Sequence, residues 1–314
     1  LERAGAAQVA IVGVTNVGRS SLLAGVTGAK PLVASYPFTT KENTPGMLQF
    51  EDLQLQLIEV PAMVPGEDGK PTFQEGTADL LRNCDGLILM VDLSADPVEQ
   101  LEQVLSDLAR LQISAVKLQS NITLKRTKSG GAQLVTAGRL VGCSREQIES
   151  LLRSYGISHV IVQTTGDVSL DEIEEAILET SLAYKPTLIV ANKADFRETS
   201  TSVARLRDHV GSKLPILLTS CLTRQGLSEL GKRLFGLLGL VRVYTKEPNA
   251  SAPSPDPFVV KCGTTTGELS RQIHSTLFRQ FKYARVWGKS VSYPGERVGV
   301  DHTLLDGDIV EIHA

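Results

Sequence analysis

Several broad classes are excluded by what this sequence lacks. Its four cysteines, Cys84, Cys143, Cys221 and Cys262, form no C-x-x-C pair. That argues against a zinc module or a disulfide scaffold and fits a reducing, cytoplasmic setting. No apolar run reaches the length of a membrane-spanning helix and no signal peptide opens the chain, so no membrane partner is expected. His159, His209, His274, His302 and His313 are isolated, without metal-ligand spacing, and read as structural. Net charge is only −3, with 21% charged residues, so no whole-chain field points to a partner. There are no internal repeats. What is present is 314 residues, 42% of them hydrophobic, enough for a sizeable core and more than one domain. The chain starts at Leu1 and a strand pattern follows almost at once, so a further N-terminal segment is expected ahead of it.

Apolar runs at 8–14, 87–91, 188–191 and 216–219 read as strands buried on both faces, and Leu53, Leu55 and Leu57 alternate with Gln54 and Gln56 as a strand with one wetter face. Leu101, Leu105 and Leu108 have the spacing of an amphipathic helix, and 226–238 repeats that spacing. Strands alternating with helices predict an α/β fold, a mostly parallel sheet with helices on both faces. Residues 117–183 break the rhythm. A hairpin is expected around Gly130 and Gly131, then a helix capped by Ser144 and Gln147, a strand at 159–163 and a helix capped by Ser169 and Glu172. This reads as an α+β insertion. Pro248, Pro253, Pro255 and Pro257 mark 247–257 as a linker. The expected domains are therefore 1–116 with 184–246, the insertion 117–183, the linker, and a small β-rich module at 258–314.

Gly13-Val14-Thr15-Asn16-Val17-Gly18-Arg19-Ser20 has the spacing G-x-x-x-x-G-K-[ST] after a strand and before a helix, with Arg19 in place of lysine. In such a P-loop, glycines let backbone N–H groups curl around phosphate oxygens, the helix start adds its positive dipole end, and Ser20, followed by Ser21, would ligate magnesium. Arginine keeps the charge of the usual lysine but is planar and bulkier. Asn192-Lys193-Ala194-Asp195 follows the strand at 188–191. An N-K-x-D sequence there selects guanine: the Asp195 carboxylate accepts from two ring donors that adenine does not offer together, the Asn192 amide serves the other edge and the Lys193 stem packs on the ring. Ser220-Cys221-Leu222 closes the next strand, where a backbone N–H meets the guanine carbonyl. The plain alternatives are a glycine turn that binds nothing and a solvated polar loop.

Between these motifs, Phe38-Thr39-Thr40 could supply a magnesium ligand, with Thr40 favoured. Glu59-Val60-Pro61-Ala62 stands where D-x-P-G would open a second switch. Glu59 keeps a carboxylate one methylene longer, as a second-switch magnesium group, and Ala62 loses a glycine's freedom.

These strings, with Tyr36-Pro37, Tyr244-Thr245-Lys246, Gln280-Phe281-Lys282-Tyr283-Ala284, Val286-Trp287-Gly288 and Arg297-Val298-Gly299, resemble the developmentally regulated GTP-binding proteins of the Obg type over nearly the whole chain. The resemblance implies a P-loop G domain, an S5D2L-type insertion, a C-terminal TGS domain of ubiquitin-like β-grasp fold, GTP or GDP with magnesium, and association with ribosomes or structured RNA. It also implies Met63 at the position of a catalytic glutamine, potassium held partly by Asn16, and an N-terminal helical segment not present here. The expected activity is slow, magnesium- and potassium-dependent GTP hydrolysis. Arg19 and Thr40 would act on phosphate, and Gly13, Asn16, Val17, Gly18, Ser20 and Ser21 would cradle the nucleotide. The alternatives are a nucleotide-binding module that docks without hydrolysis and an RNA scaffold with an empty pocket. The departures at Arg19, Glu59 and Ala62 all fall on the phosphate side. A protein regulator is a further expected partner.

Two stretches lack acids. Residues 269–293 carry Arg271, Arg279, Lys282, Arg285 and Lys289 among Phe278, Phe281, Tyr283 and Trp287, and residues 117–145 carry Lys117, Lys125, Arg126, Lys128, Arg139 and Arg145. Cations beside rings suit RNA. Equally, the rings could fill a small core under a solvated charged face.

Overall fold

A computed structural model describes residues 3–27, 44–61, 64–65, 71–73, 76–117, 121–180, 182–196, 199–248 and 250–314. The chain forms two compact units, Leu1–Val104 with Pro186–Ala314, and Leu105–Lys185. In chain order the first unit opens with β1 (Ala7–Val12), α1 (Arg19–Thr27), β2 (Thr44–Phe50), β3 (Leu53–Glu59), α2 (Thr77–Asn83) and β4 (Gly86–Asp92), followed by α3 (Pro97–Arg110). The second unit holds β5 (Ile122–Arg126), β6 (Ala132–Ala137), α4 (Arg145–Ser154), β7 (Val160–Thr165) and α5 (Leu170–Thr180). The first resumes with β8 (Thr187–Asn192), α6 (Thr199–Val210), β9 (Ile216–Leu218), α7 (Leu230–Leu237) and β10 (Leu240–Thr245). It ends with β11 (Phe258–Lys261), α8 (Thr266–Ile273), α9 (Ser275–Arg279), β12 (Tyr283–Trp287), β13 (Glu296–Val298) and β14 (Asp308–His313).

The main sheet runs β9-β8-β4-β1-β3-β2, with every pairing parallel except β2 on β3. Strands β1, β4 and β8 are buried along their whole length, as the apolar runs require of central parallel strands. Their C-terminal ends open into loops on one edge, where ligands of such sheets bind. The wetter face expected of β3 holds for Gln54, but Gln56 is buried. Its Oε1 accepts from Gln8 Nε2 at 2.9 Å and from the Ala4 N–H at 3.2 Å, so the buried amides satisfy each other.

In the second unit the sheet order is β5-β7-β6. The expected hairpin around Gly130 and Gly131 is therefore corrected. β5 and β6 do not pair; β7 lies between them, antiparallel to β5 and parallel to β6. The link between them must cross two strand spacings, about 10 Å, and Gly130 and Gly131 turn it at positive φ. Ile148, Leu152, Ile173 and Ile177 from α4 and α5 join Ile122, Val160 and Val162 in one core. Ser144 and Gln147 make the full capping box.

The C-terminal sheet runs β11-β10-β14-β12-β13 around a core of Val241, Val243, Val260, Leu269, Ala284, Val286, Leu304 and Val310. This corrects two boundaries. Residues 240–245, expected in the G domain, form an inner strand of this sheet, and 247–257 joins β10 to its neighbour β11 and so is an internal connection, not a linker. Two short helices cross 266–279, and the extended backbone of His274 (φ −163, ψ 134) separates α8 from α9. Leu240 also belongs to the main-sheet core. Arg242 pairs with Asp306 at 2.7 Å and with Glu51 and Asp52 at the tip of the β2–β3 hairpin, and Tyr244 donates to Asp52. These acids hold the Arg242 guanidinium above its ordinary value, with the Asp306 hydrogen bond the largest cause.

Candidate nucleotide site

The loop leaving β1 passes so close to β4 and β8 that side chains are excluded. A Cβ on Gly13 would fall 2.6 Å from the Met90 carbonyl oxygen, and one on Gly18 would fall 2.6 Å from Asn192 Nδ2. Gly18 also has φ +97, a conformation closed to ordinary residues. Asn16 adopts the left-handed region at φ 65, which asparagine tolerates better than most. Helix α1 then begins at Arg19 with no acidic residue in its first turn, so its own sequence leaves the positive end of the dipole open to an anion.

Asn192 is 3% exposed and binds three segments together. Its Nδ2 donates to the Val17 carbonyl at 2.9 Å, and its Oδ1 accepts from the Cys221 N–H at 3.1 Å and from Thr219 Oγ1 at 3.4 Å. These bonds use one of the two Nδ2 hydrogens, and the other is left for a base edge. Both ends of this amide are engaged by the protein, and Asn192 fixes the distance between the P-loop and the two loops beyond it. Leaving such partners unmet in the interior costs about 1–3 kcal/mol each.

Lys193 stands at φ 63, a strained conformation for a residue with a side chain. The next residues hold it there: the Ala194 N–H donates to the Thr219 carbonyl at 2.9 Å and the Phe196 N–H to the Lys193 carbonyl at 3.1 Å. Its ammonium pairs with Asp92 at the end of β4. Asp92 also accepts from Ser94 N and Oγ at 2.8 and 2.6 Å. Burial alone would raise the Asp92 carboxyl, but the bonds from Lys193 and Ser94 outweigh it and hold the group below the usual carboxylate range. Sequence reasoning missed Asp92. The available signal was an acid ending an apolar run at the same sheet edge as the other motifs.

Asp195 is exposed at that edge. Ser220 is fully buried, its N–H bonded to Gln225 and its Oγ accepting from Thr223 N at 3.0 Å. Of the three N–H groups at 220–222, Ser220 gives its own to Gln225 and Cys221 to Asn192, while that of Leu222 makes no hydrogen bond to a described residue. Leu222 itself is 84% exposed. Burial pushes the Cys221 thiol up, which suits packing rather than reactivity.

On the phosphate side, Ser20 Oγ donates to Glu59 Oε1 at 2.6 Å. A hydroxyl and a carboxylate meeting at a helix start are a hard-oxygen set that fits magnesium with phosphate and water completing its shell. Arg19 Nη1 donates to the Val60 carbonyl, and burial lowers its guanidinium while Glu59 opposes the shift. The Val60 N–H in turn donates to the Ile11 carbonyl at 3.1 Å, fixing the exit of β3 to β1. The fold thus brings Gly13, Asn16, Val17, Gly18, Arg19, Ser20, Ser21, Glu59, Asn192, Lys193, Asp195 and 220–222 to one sheet edge. Thr40, Ala62 and Met63 lie outside the described residues. No cluster of three or more His, Cys, Asp or Glu side chains suited to a metal occurs among the described residues, and no described helix is long and apolar enough to cross a membrane.

Comparison with known proteins follows the same division. A family model described as a 50S ribosome-binding GTPase matches residues 8–124, a model of the C-terminal region of that domain matches 129–240, and a TGS domain model matches 241–314. Developmentally-regulated GTP-binding protein 2 of Homo sapiens is 31% identical over 99% of this chain and 83% of its own length. Developmentally-regulated GTP-binding protein 1 of Xenopus laevis is 29% identical, again over 99% of this chain and 83% of the relative. An uncharacterised GTP-binding protein of Halobacterium salinarum is 31% identical over the whole chain and 85% of its own length. Among solved structures, a GTP-binding protein from Pyrococcus horikoshii OT3 aligns with TM-score 0.56 at 19% identity over 98% of this chain and 99% of its own. The YchF GTPase of Schizosaccharomyces pombe aligns with TM-score 0.57 at 14% identity over 99% of both chains. These two establish the shared fold.

Proposed function

Because the chain belongs to the developmentally regulated family of GTP-binding proteins, we propose that it is a slow, magnesium- and potassium-dependent GTPase that works in association with the ribosome or structured RNA. The observation that carries the nucleotide reading is the Asn192 amide, which ties the P-loop carbonyl of Val17 to the turn at Cys221 and sets base and phosphate sites at a fixed separation. Asp195 accepts from the two ring donors of guanine, and the Leu222 N–H is available to the guanine carbonyl. Lys193, anchored by Asp92, lays its stem along the ring. Magnesium, when bound, neutralises charge on the outer phosphate oxygens. Ser20 and Glu59 would hold it, with Thr40 completing the set, and Asn16 would contribute to a potassium site. Arg19 supplies a fixed cation at the helix start. No described side chain is placed as a general base, so hydrolysis rests on positioning and charge. Met63 stands for the hydrophobic residue of this GTPase class.

The ribosome or RNA partner is supported by the description of the matching family model and by the acid-free stretches 117–145 and 269–293. A cytoplasmic location and a protein regulator complete the reading. A second reading, nucleotide-gated docking without hydrolysis, is favoured by one observation: the guanidinium of Arg19 is bonded to the Val60 carbonyl, where a lysine would stay mobile. Titration of fluorescent GDP and GTP with magnesium and potassium, alongside phosphate release, separates the two. Binding with potassium-stimulated release supports the first, binding without release the second, and absence of binding sinks both.

A further inference from the structure

The C-terminal sheet has one face covered by α8, through Leu269 and Ile273, and its other face divides in two. Leu240, Arg242, Tyr244 and Val259 of β10 and β11 lie against the G domain. The register Tyr244↔Ile309↔Trp287 places Tyr283, Arg285 and Trp287 of β12, Arg297 of β13 and His313 of β14 on that same face, beyond the covered half. The rings of residues 269–293 are thereby sorted. Phe281 packs against the core and Phe278 sits under Arg271, whereas Tyr283 and Trp287 face outward.

Across the three strands β14-β12-β13 runs a stacked column. The His313 ring lies 4.4 Å from Tyr283 at 12°, and the Arg297 guanidinium lies 3.8 Å over Tyr283. Because β12 is flanked by β14 on one side and β13 on the other, the column ends at Arg297 on the edge strand, exposed. Arg285 and Arg297 are direct cross-strand partners, and neither makes an ion pair with a described residue. Glu311, on the other side of Arg285, is already bonded to Lys246 at 2.6 Å and to His313 at 2.7 Å. Lys246 also lies 4.8 Å over the Trp287 ring. Like charges directly opposite each other destabilise a sheet unless an anion lies between them. A phosphodiester bridging the two arginines, with its base stacked on the exposed plane of Arg297, meets both features at once.

We propose that this uncovered half-face, centred on Tyr283, Arg285 and Arg297, is a docking surface for single-stranded RNA. It rests on the RNA association proposed above and names the surface that carries it. The test is anisotropy titration of a short, unstructured, fluorescein-labelled RNA into the full chain over a range of salt. Reversing both charges (Arg285→Glu with Arg297→Glu) weakens binding at least about tenfold and makes the salt slope shallower by about 1.4, the value for two lost phosphate contacts on a single strand. Arg297→Lys keeps the charge and the fold but loses the planar stack, and weakens binding about fivefold or more. GDP affinity stays at the parental value in both variants, and Arg297→Lys also keeps the parental melting temperature. If the parent chain binds the RNA and both variants bind equally well, this surface is wrong while RNA association stands, carried by residues such as Lys125 and Lys128. If the parent chain binds no RNA, both fail. An acidic peptide that displaces the labelled RNA as well as unlabelled RNA does also overturns the assignment.

Discussion

The base side and the phosphate side of the nucleotide site are built from different materials. On the base side, a buried and nearly neutral lattice of hydrogen bonds around Asn192 joins Val17, Thr219 and Cys221. On the phosphate side, each contact carries a charge on a partly exposed side chain: Arg19 on the Val60 carbonyl and Glu59 on the Ser20 hydroxyl. Buried neutral bonds cannot be exchanged for water, so they fix a geometry before any ligand arrives. Partly hydrated contacts of a charged side chain exchange with solvent and ligand at little cost. The recognition half of the site is therefore preset, and the chemical half is adjustable.

The sharpest way to break this contrast is Asn192→Ala. It orphans the Val17 carbonyl and the Cys221 N–H together. The expected result is a stability loss of about 2–4 kcal/mol in denaturant unfolding and a fall in affinity for both GDP and GTP on the order of 100-fold. A wild-type melt would show that water replaces the amide and that the lattice is not the organising element. Next in size is Asp195→Asn, which leaves the fold alone because the side chain is exposed. Guanine selectivity should drop on the order of 100-fold, and xanthine nucleotides, with a carbonyl in place of the exocyclic amine, should gain affinity in competition assays. Smaller again is Arg19→Lys. Replacing the anchored fork by a mobile point charge should raise single-turnover phosphate release about tenfold, equivalent to ~1.4 kcal/mol of barrier, with GDP affinity altered by less. Unchanged release would place the limit elsewhere on the phosphate side.

Legibility in the sequence followed the same division. The central strands were visible because full burial leaves an uninterrupted apolar run, and the P-loop because its glycines answer to the 2.6 Å approaches of Met90 and Asn192. The pairing in the second unit was hidden because the strand that separates β5 from β6 comes later in the chain, at Val160–Thr165. The role of β10 was hidden for a related reason. Leu240, Val241 and Val243 are as apolar as any G-domain strand, and only the partner strands β11 and β14 decide to which sheet they belong. Within the site, Asn192 was identified but its bonds to Val17 and Cys221 were not, since one amide can serve a base and a backbone together and the motif names only the residue. Asp92 went unseen because one acid at a strand end carries no pattern.

Asp92 supplies the smallest effect, and its sign can be worked out. Its carboxyl is held below the usual range in the folded protein, chiefly by Lys193 and Ser94 against the pull of burial. The unfolded chain thus takes up this proton at higher pH, near the ordinary value of about 3.9. The pairing therefore contributes its whole stability above that pH, and the contribution is lost as pH falls through the lower folded value. Asp92→Asn should lower stability at neutral pH and flatten the acid limb of a stability–pH curve, with the two proteins converging at strongly acidic pH. Because Lys193 would lose its anchor while Asn192 kept its lattice, GDP affinity should fall only a few-fold, on the order of 1 kcal/mol. If that loss instead matched the loss for Asn192→Ala, the base side would be held by its ion pair, and the contrast between a neutral recognition half and a charged chemical half would not survive.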